Sequence, residues 1–77
     1  MRITVELHGH LQTYAGDRGK CVEMDLKEGA TVGELMAQLG IPAGVTWNAA
    51  IDGKLVYTND LLCEGAFLML FPPLAGG

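Results

Sequence analysis

Few side chains in this 77-residue chain have the types and spacing that chemistry needs. Cys21 and Cys63 form no C-x-x-C pair and have no histidine cluster beside them. His8 and His10 stand two apart and would share a face of a continuing strand, but no further Cys or His completes a metal set. Asp52, Asp60 and Glu64 fall in turn-like contexts, where carboxylates serve the local backbone. No nucleophile–base pair, phosphate loop or spaced pair of catalytic acids is evident. The remaining candidate is Pro72-Pro73-Leu74-Ala75-Gly76-Gly77, which follows the apolar run Ala66 to Phe71. Two prolines end a strand and favour a stiff extended spacer. Six extended residues reach roughly 20 Å, into another protein's cleft. Gly76 and Gly77 have no Cβ, so their backbone can pass a narrow channel. A carboxylate on Gly77 would be unshielded, as one must be if an enzyme is to activate it and a nucleophile attack it. Glycines at a chain end are commonly just frayed; the apolar strand and paired prolines before them argue for use.

The elements that would hold out such a tail can be read in order. Arg2 to His8 alternates, with Ile3, Val5 and Leu7 on one face, as a half-buried strand does. Gly9 to Gly19 reads as a polar loop with Leu11 and Tyr14 as anchors, and Gly16-Asp17-Arg18-Gly19 as its turn signal. Lys20 to Leu26 alternates again and completes a long-looped hairpin, with Val22, Met24 and Leu26 inward. That register turns Cys21 outward among acidic neighbours, which disfavour a thiolate. Thr31 and Glu34 fit a capping box. Val32, Leu35, Met36 and Leu39 then give one apolar helical face, closed by Gly40 and Pro42. No other helix of comparable length is expected. Trp47 to Ile51 and Lys54 to Tyr57 flank a tight Asp52-Gly53 turn. Leu61-Leu62-Cys63 reads as a short helical or irregular turn, and Phe67 to Phe71 as the last strand.

Phe67-Leu68-Met69-Leu70-Phe71 is apolar on both faces, and only one helix is available to cover it. The other face is exposed, buried by a partner, or covered by loop residues such as Tyr14 or Trp47. Periodicity alone does not choose which residues face the core. The order predicts one α+β domain, a mixed sheet of four to five strands packed on one main helix.

Composition bounds the rest. A hydrophobic content of 49% with 18% charged residues is that of a folding chain. A single small domain of this length has a modest core and little room for a deep active site. A net charge of -4 argues against a nucleic-acid partner and leaves a basic protein surface open. No signal-type apolar region follows Met1-Arg2, and the longest apolar run is far too short to span a bilayer. A cytoplasmic protein with no membrane partner is expected.

The stretch Phe71–Gly77 resembles the C-terminus of the ubiquitin-like sulfur carriers, the MoaD/ThiS family, with the small subunit of molybdopterin synthase as the nearest type. The helix Thr31–Leu39, the turn Ile51-Asp52-Gly53-Lys54 and Leu61-x-x-Glu64-Gly65 resemble further family segments. The resemblance implies a β-grasp (ubiquitin-like) fold over residues 1–71 and a flexible extended tail over 72–77. It implies a protein cosubstrate, not catalytic alone, with no tightly bound cofactor. A ubiquitin-activating-like adenylating enzyme would use ATP and magnesium to adenylate the Gly77 carboxylate, and a persulfide donor would convert it to a thiocarboxylate. A larger synthase subunit, or another acceptor enzyme, would then take the sulfur. Carried over by position, Gly77 bears the thiocarboxylate and Gly76 gives access to it. The docking surface would comprise Phe67, Met69, Phe71, Pro72, Pro73, Leu74, His8 and Leu55, with Leu68 and Leu70 toward the core. Two stretches depart from the family pattern: Ala66 where an acidic residue is common, and Leu7-His8-Gly9 in place of Leu-Phe-Ala. Sulfur transfer to thiamin, an amino acid or transfer RNA, conjugation to other proteins through Gly77, and a plain binding domain stay open as alternatives.

Overall fold

The computed structural model describes residues 1–73. These form a five-stranded sheet of order β2-β1-β5-β3-β4, from β1 (Arg2–Leu7), β2 (Cys21–Asp25), β3 (Asn48–Ile51), β4 (Lys54–Val56) and β5 (Phe67–Phe71). The central pair β1–β5 is parallel and the other pairings are antiparallel. Helix α1 (Val32–Leu39) covers one face. This is the β-grasp arrangement, a mixed sheet on one α-helix. Every inward position of the first hairpin is buried: Ile3, Val5, Leu7, Val22 and Met24. Val32, Leu35, Met36 and Leu39 of α1 meet them, and Leu68 and Leu70 of β5 are fully buried in the same cluster.

Helix α1 is closed at both ends by identifiable groups. A helix leaves its first amides without intrahelical partners. Here the Val32 amide donates to Asp60 O at 2.9 Å and the Gly33 amide to Thr58 O at 2.9 Å. The Glu34 amide donates to Thr31 Oγ1 at 3.2 Å, while the Thr31 amide donates back to Glu34 Oε1 at 3.0 Å, completing the capping box. The Thr31 amide, followed by Lys27, holds the Glu34 carboxyl below its ordinary range. At the far end Gly40 is left-handed (φ 94°, ψ 17°), and its amide donates to Met36 O and Ala37 O.

The loop that caps α1 explains Gly33. A Cβ there would stand 2.5 Å from Thr58 Cγ2 and 3.2 Å from the Thr58 carbonyl oxygen. Alanine is the better helix former by about 1 kcal/mol, yet Gly33→Ala is expected to destabilise the chain by ~1–3 kcal/mol, because it pushes Thr58 off the helix end. Urea unfolding checks this, and a stabilised variant would contradict it.

One expectation is corrected. Residues Gly9–Arg18 are not an irregular polar loop but a 3-10 segment of ten residues, kinked at Gly16 (φ 61°, ψ -130°). Helix α1 remains the main helix on the sheet, and the kink divides the 3-10 segment into two shorter pieces. Leu11 and Ala15 bury one edge of it, and Arg18 Nε donates to the Ala15 carbonyl at 2.9 Å, closing its C-terminal end. Leu61-Leu62-Cys63 takes the irregular one of its two expected forms, with Leu61 paired to Thr31 as an isolated antiparallel bridge. The Asp52-Gly53 turn is a two-residue hairpin with positive φ at both positions (53° and 80°), joining Ile51 to its partner Lys54.

Candidate functional site

Pairing register fixes what lies on the sheet face away from α1. Directly paired residues share a face, so the pairs Glu6–Cys21, Glu6–Met69, Ala50–Met69 and Ala50–Leu55 make one row across all five strands. The adjacent row runs Glu23, Thr4, Phe67. On the other side Phe71 pairs with Asn48.

The face is divided. Toward β2 it is charged. Arg2 Nε donates to Asp25 Oδ1 and its Nη1 to Glu23 Oε1, both at 2.7 Å. Asp25 first, then Glu23, hold the Arg2 guanidinium more firmly protonated than usual. His8 Nε2 lies 2.9 Å from Glu6 Oε1, and Cys21 Sγ lies 3.9 Å from Glu6 Oε2. Toward β4 the face is apolar: Phe67 is 45% exposed, Met69 39% and Leu55 54%. Tyr14 and Trp47 do not cover it; both pack against the buried core cluster. An unpaired apolar surface of this kind on a small domain is the usual mark of a binding face.

The alternation along β5 explains the division. Leu68 and Leu70 point at α1, so Phe67 and Met69 must point away. Phe71 and Pro72 are half-buried, and Pro73 is exposed. The His8 amide donates to the Leu70 carbonyl at 2.9 Å, extending the parallel β1–β5 ladder to the root of the tail. The apolar face therefore runs straight into the segment that leads to the glycines. Of the residues singled out in the sequence, Phe67, Met69, Leu55, Phe71 and His8 come together on this face, with Pro72 and Pro73 at its end. Leu74, Gly76 and Gly77 lie outside the described residues.

The sequence reading missed Ala50, Glu6 and Gly9. Ala50 was recoverable: a two-residue Asp52-Gly53 turn places it opposite Leu55. Glu6 was visible as an outward residue of β1, but its contacts to His8 and Cys21 depend on side-chain geometry. Gly9 stands out in the sequence as part of the Leu7-His8-Gly9 departure from the family pattern, but its approach to Pro72, 63 positions away, has no local signal. Among the described residues no group of three or more His, Cys, Asp or Glu is placed to hold a metal ion. None of their helices is long and apolar enough to cross a membrane.

Solved structures with the same fold include small archaeal modifier protein 1 of Haloferax volcanii, 23% identical with a TM-score of 0.79 over 95% of this chain and 98% of that one. A Pyrococcus furiosus protein assigned as molybdopterin converting factor subunit 1 aligns at 23% identity and TM-score 0.78, covering 96% of this chain and 99% of that one. In the complex of subunits 1 and 2 of the molybdopterin-converting factor from Helicobacter pylori, one chain aligns at 23% identity and TM-score 0.63, with 100% of both chains covered. No curated protein sequence matches. The ThiS family model matches residues 5–77, from the first strand through the final glycines. The chain belongs to the ThiS family of ubiquitin-like sulfur carriers.

Proposed function

We propose that this chain is a sulfur carrier that serves as the small subunit of a molybdopterin synthase. The observation that carries the reading is the continuity of an uncovered apolar strand face, Phe67 and Met69, with the Pro-Pro root of a Gly-Gly segment inside the family match. The neighbour from Helicobacter pylori, solved as a complex of subunits 1 and 2 of a molybdopterin-converting factor, supports a synthase subunit as partner.

The chemistry follows from the carboxylate on Gly77. A carboxylate is a poor electrophile. Attack of its oxygen on the α-phosphorus of ATP, in a partner adenylating enzyme that holds magnesium, releases pyrophosphate and leaves an acyl-adenylate. Sulfur from a persulfide donor then attacks the acyl carbon and displaces AMP. After the sulfur–sulfur bond is cleaved by a thiol, Gly77 carries a thiocarboxylate. The chain contributes access and docking. Gly76 and Gly77 present the acyl carbon without side chains, and the open face seats the partner. Phe71, Pro72, Pro73 and Leu74 extend that contact, with His8 and Leu55 at its margins.

The test is reconstitution with a large synthase subunit. The thiocarboxylated chain is expected to bind it and to transfer sulfur to the pterin precursor. Transfer to a thiamin, amino-acid or transfer-RNA acceptor instead would keep the carrier and change the pathway. The likeness to an archaeal modifier protein favours one further reading, conjugation through Gly77 to lysines. Isopeptide-linked species of higher mass in the native cell would establish it.

A further inference from the structure

We propose that Gly9 is a positioning residue for the tail, setting the direction in which the chain leaves β5. This rests on the carrier reading. Gly9 follows β1 at the start of the 3-10 segment and has φ +59°, a backbone that side chains other than Asn and Asp rarely adopt. A Cβ at this position would stand 3.0 Å from Pro72 Cγ and 3.3 Å from Pro72 Cδ. Pro72 is half-buried, whereas Pro73 beside it is exposed, so the chain root rests on the β1 end at Pro72. Two hydrogen bonds fix the support from either side. The His8 amide holds the Leu70 carbonyl at 2.9 Å, and the Leu11 amide donates to the His8 carbonyl at 3.2 Å. Gly9 is thus clamped between a ladder bond to β5 and the first turn of the 3-10 segment. The proline ring is rigid and its φ is fixed, so a contact on one side of it steers the backbone that follows. Gly16, at a similar φ of +61°, has open space where a Cβ would be. Among the positive-φ glycines described, Gly9 is the one where a Cβ would meet another residue within 4 Å, and a side chain there would press on the Pro72 ring and shift it by a few tenths of an ångström.

A double-mutant cycle on the full chain tests this, since strain at position 9 is independent of residue 72 while the contact is not. Gly9→Ala is expected to lower kcat/KM for thiocarboxylate formation about tenfold, as a small misplacement of a reacting group does. In a Pro72→Ala background, which lacks both crowded ring atoms, the same Gly9→Ala change should cost far less relative to Pro72→Ala alone. A Gly9→Ala chain with wild-type kcat/KM, or an equal Gly9→Ala loss in the wild-type and Pro72→Ala backgrounds, would overturn the proposal. Should Gly9→Ala not fold, Gly9→Asn adds the Cβ while tolerating left-handed backbone. A wild-type chain that accepts no sulfur would refute the carrier reading instead. Urea unfolding of the same four chains then decides the contact alone: non-additive midpoint shifts support it, and additive shifts overturn it.

Discussion

Met69→Lys is expected to leave the fold nearly intact and to weaken association with the large synthase subunit and the adenylating enzyme by roughly thirtyfold or more, the loss of a central interface anchor of about 2 kcal/mol. Met69 is 39% exposed and directly opposite Glu6. A lysine there gains a favourable cross-strand charge pair, so the change in stability should stay within about 1 kcal/mol. In a complex the same ammonium would be buried against apolar partner surface, and desolvating it costs far more than its pair with Glu6 returns. Titration calorimetry against each partner measures the first effect and urea unfolding the second. Unchanged affinity with both partners would remove β5 from the docking surface.

One position earlier the expectation reverses. Leu68 is fully buried among residues of both layers. Leu68→Ala removes its transfer energy and leaves a cavity, at a cost of ~2–5 kcal/mol. A domain of this size has a total stability of about 4–12 kcal/mol, so a large fraction of molecules is expected to unfold near the physiological temperature range. A thermal melt of Leu68→Ala beside Met69→Lys checks both faces of one strand. Equal melting temperatures would show that the register of β5 has been misassigned.

That register is also where the sequence was least informative. Every residue from Phe67 to Phe71 is apolar, so a period of two leaves no mark, and only the resemblance of the tail distinguished inward from outward positions. Where polar and apolar residues alternate, as in Arg2–Leu7 and Cys21–Asp25, the faces could be read directly, because solvent on one side demands the pattern. The cap of α1 was equally legible, since Thr31 and Glu34 satisfy each other locally. The 3-10 segment was not. It buries only Leu11 and Ala15, and its glycines and polar residues have the composition of a loop. Contacts between distant positions were also out of reach. Gly33 under Thr58 and Gly9 beside Pro72 each depend on the absence of a side chain, and an absence gains meaning only once its neighbour is known.

The central claim is that the chain carries sulfur on Gly77. Intact mass after incubation with ATP, magnesium, the adenylating enzyme of the same cell and a persulfide donor tests it most directly. The account predicts a gain equal to one oxygen exchanged for sulfur, lost when Gly76 and Gly77 are deleted and retained in folded chains altered away from the docking face and Gly9. An unchanged mass with every adenylating enzyme of that cell, or a gain that survives deletion of the two glycines, would contradict it.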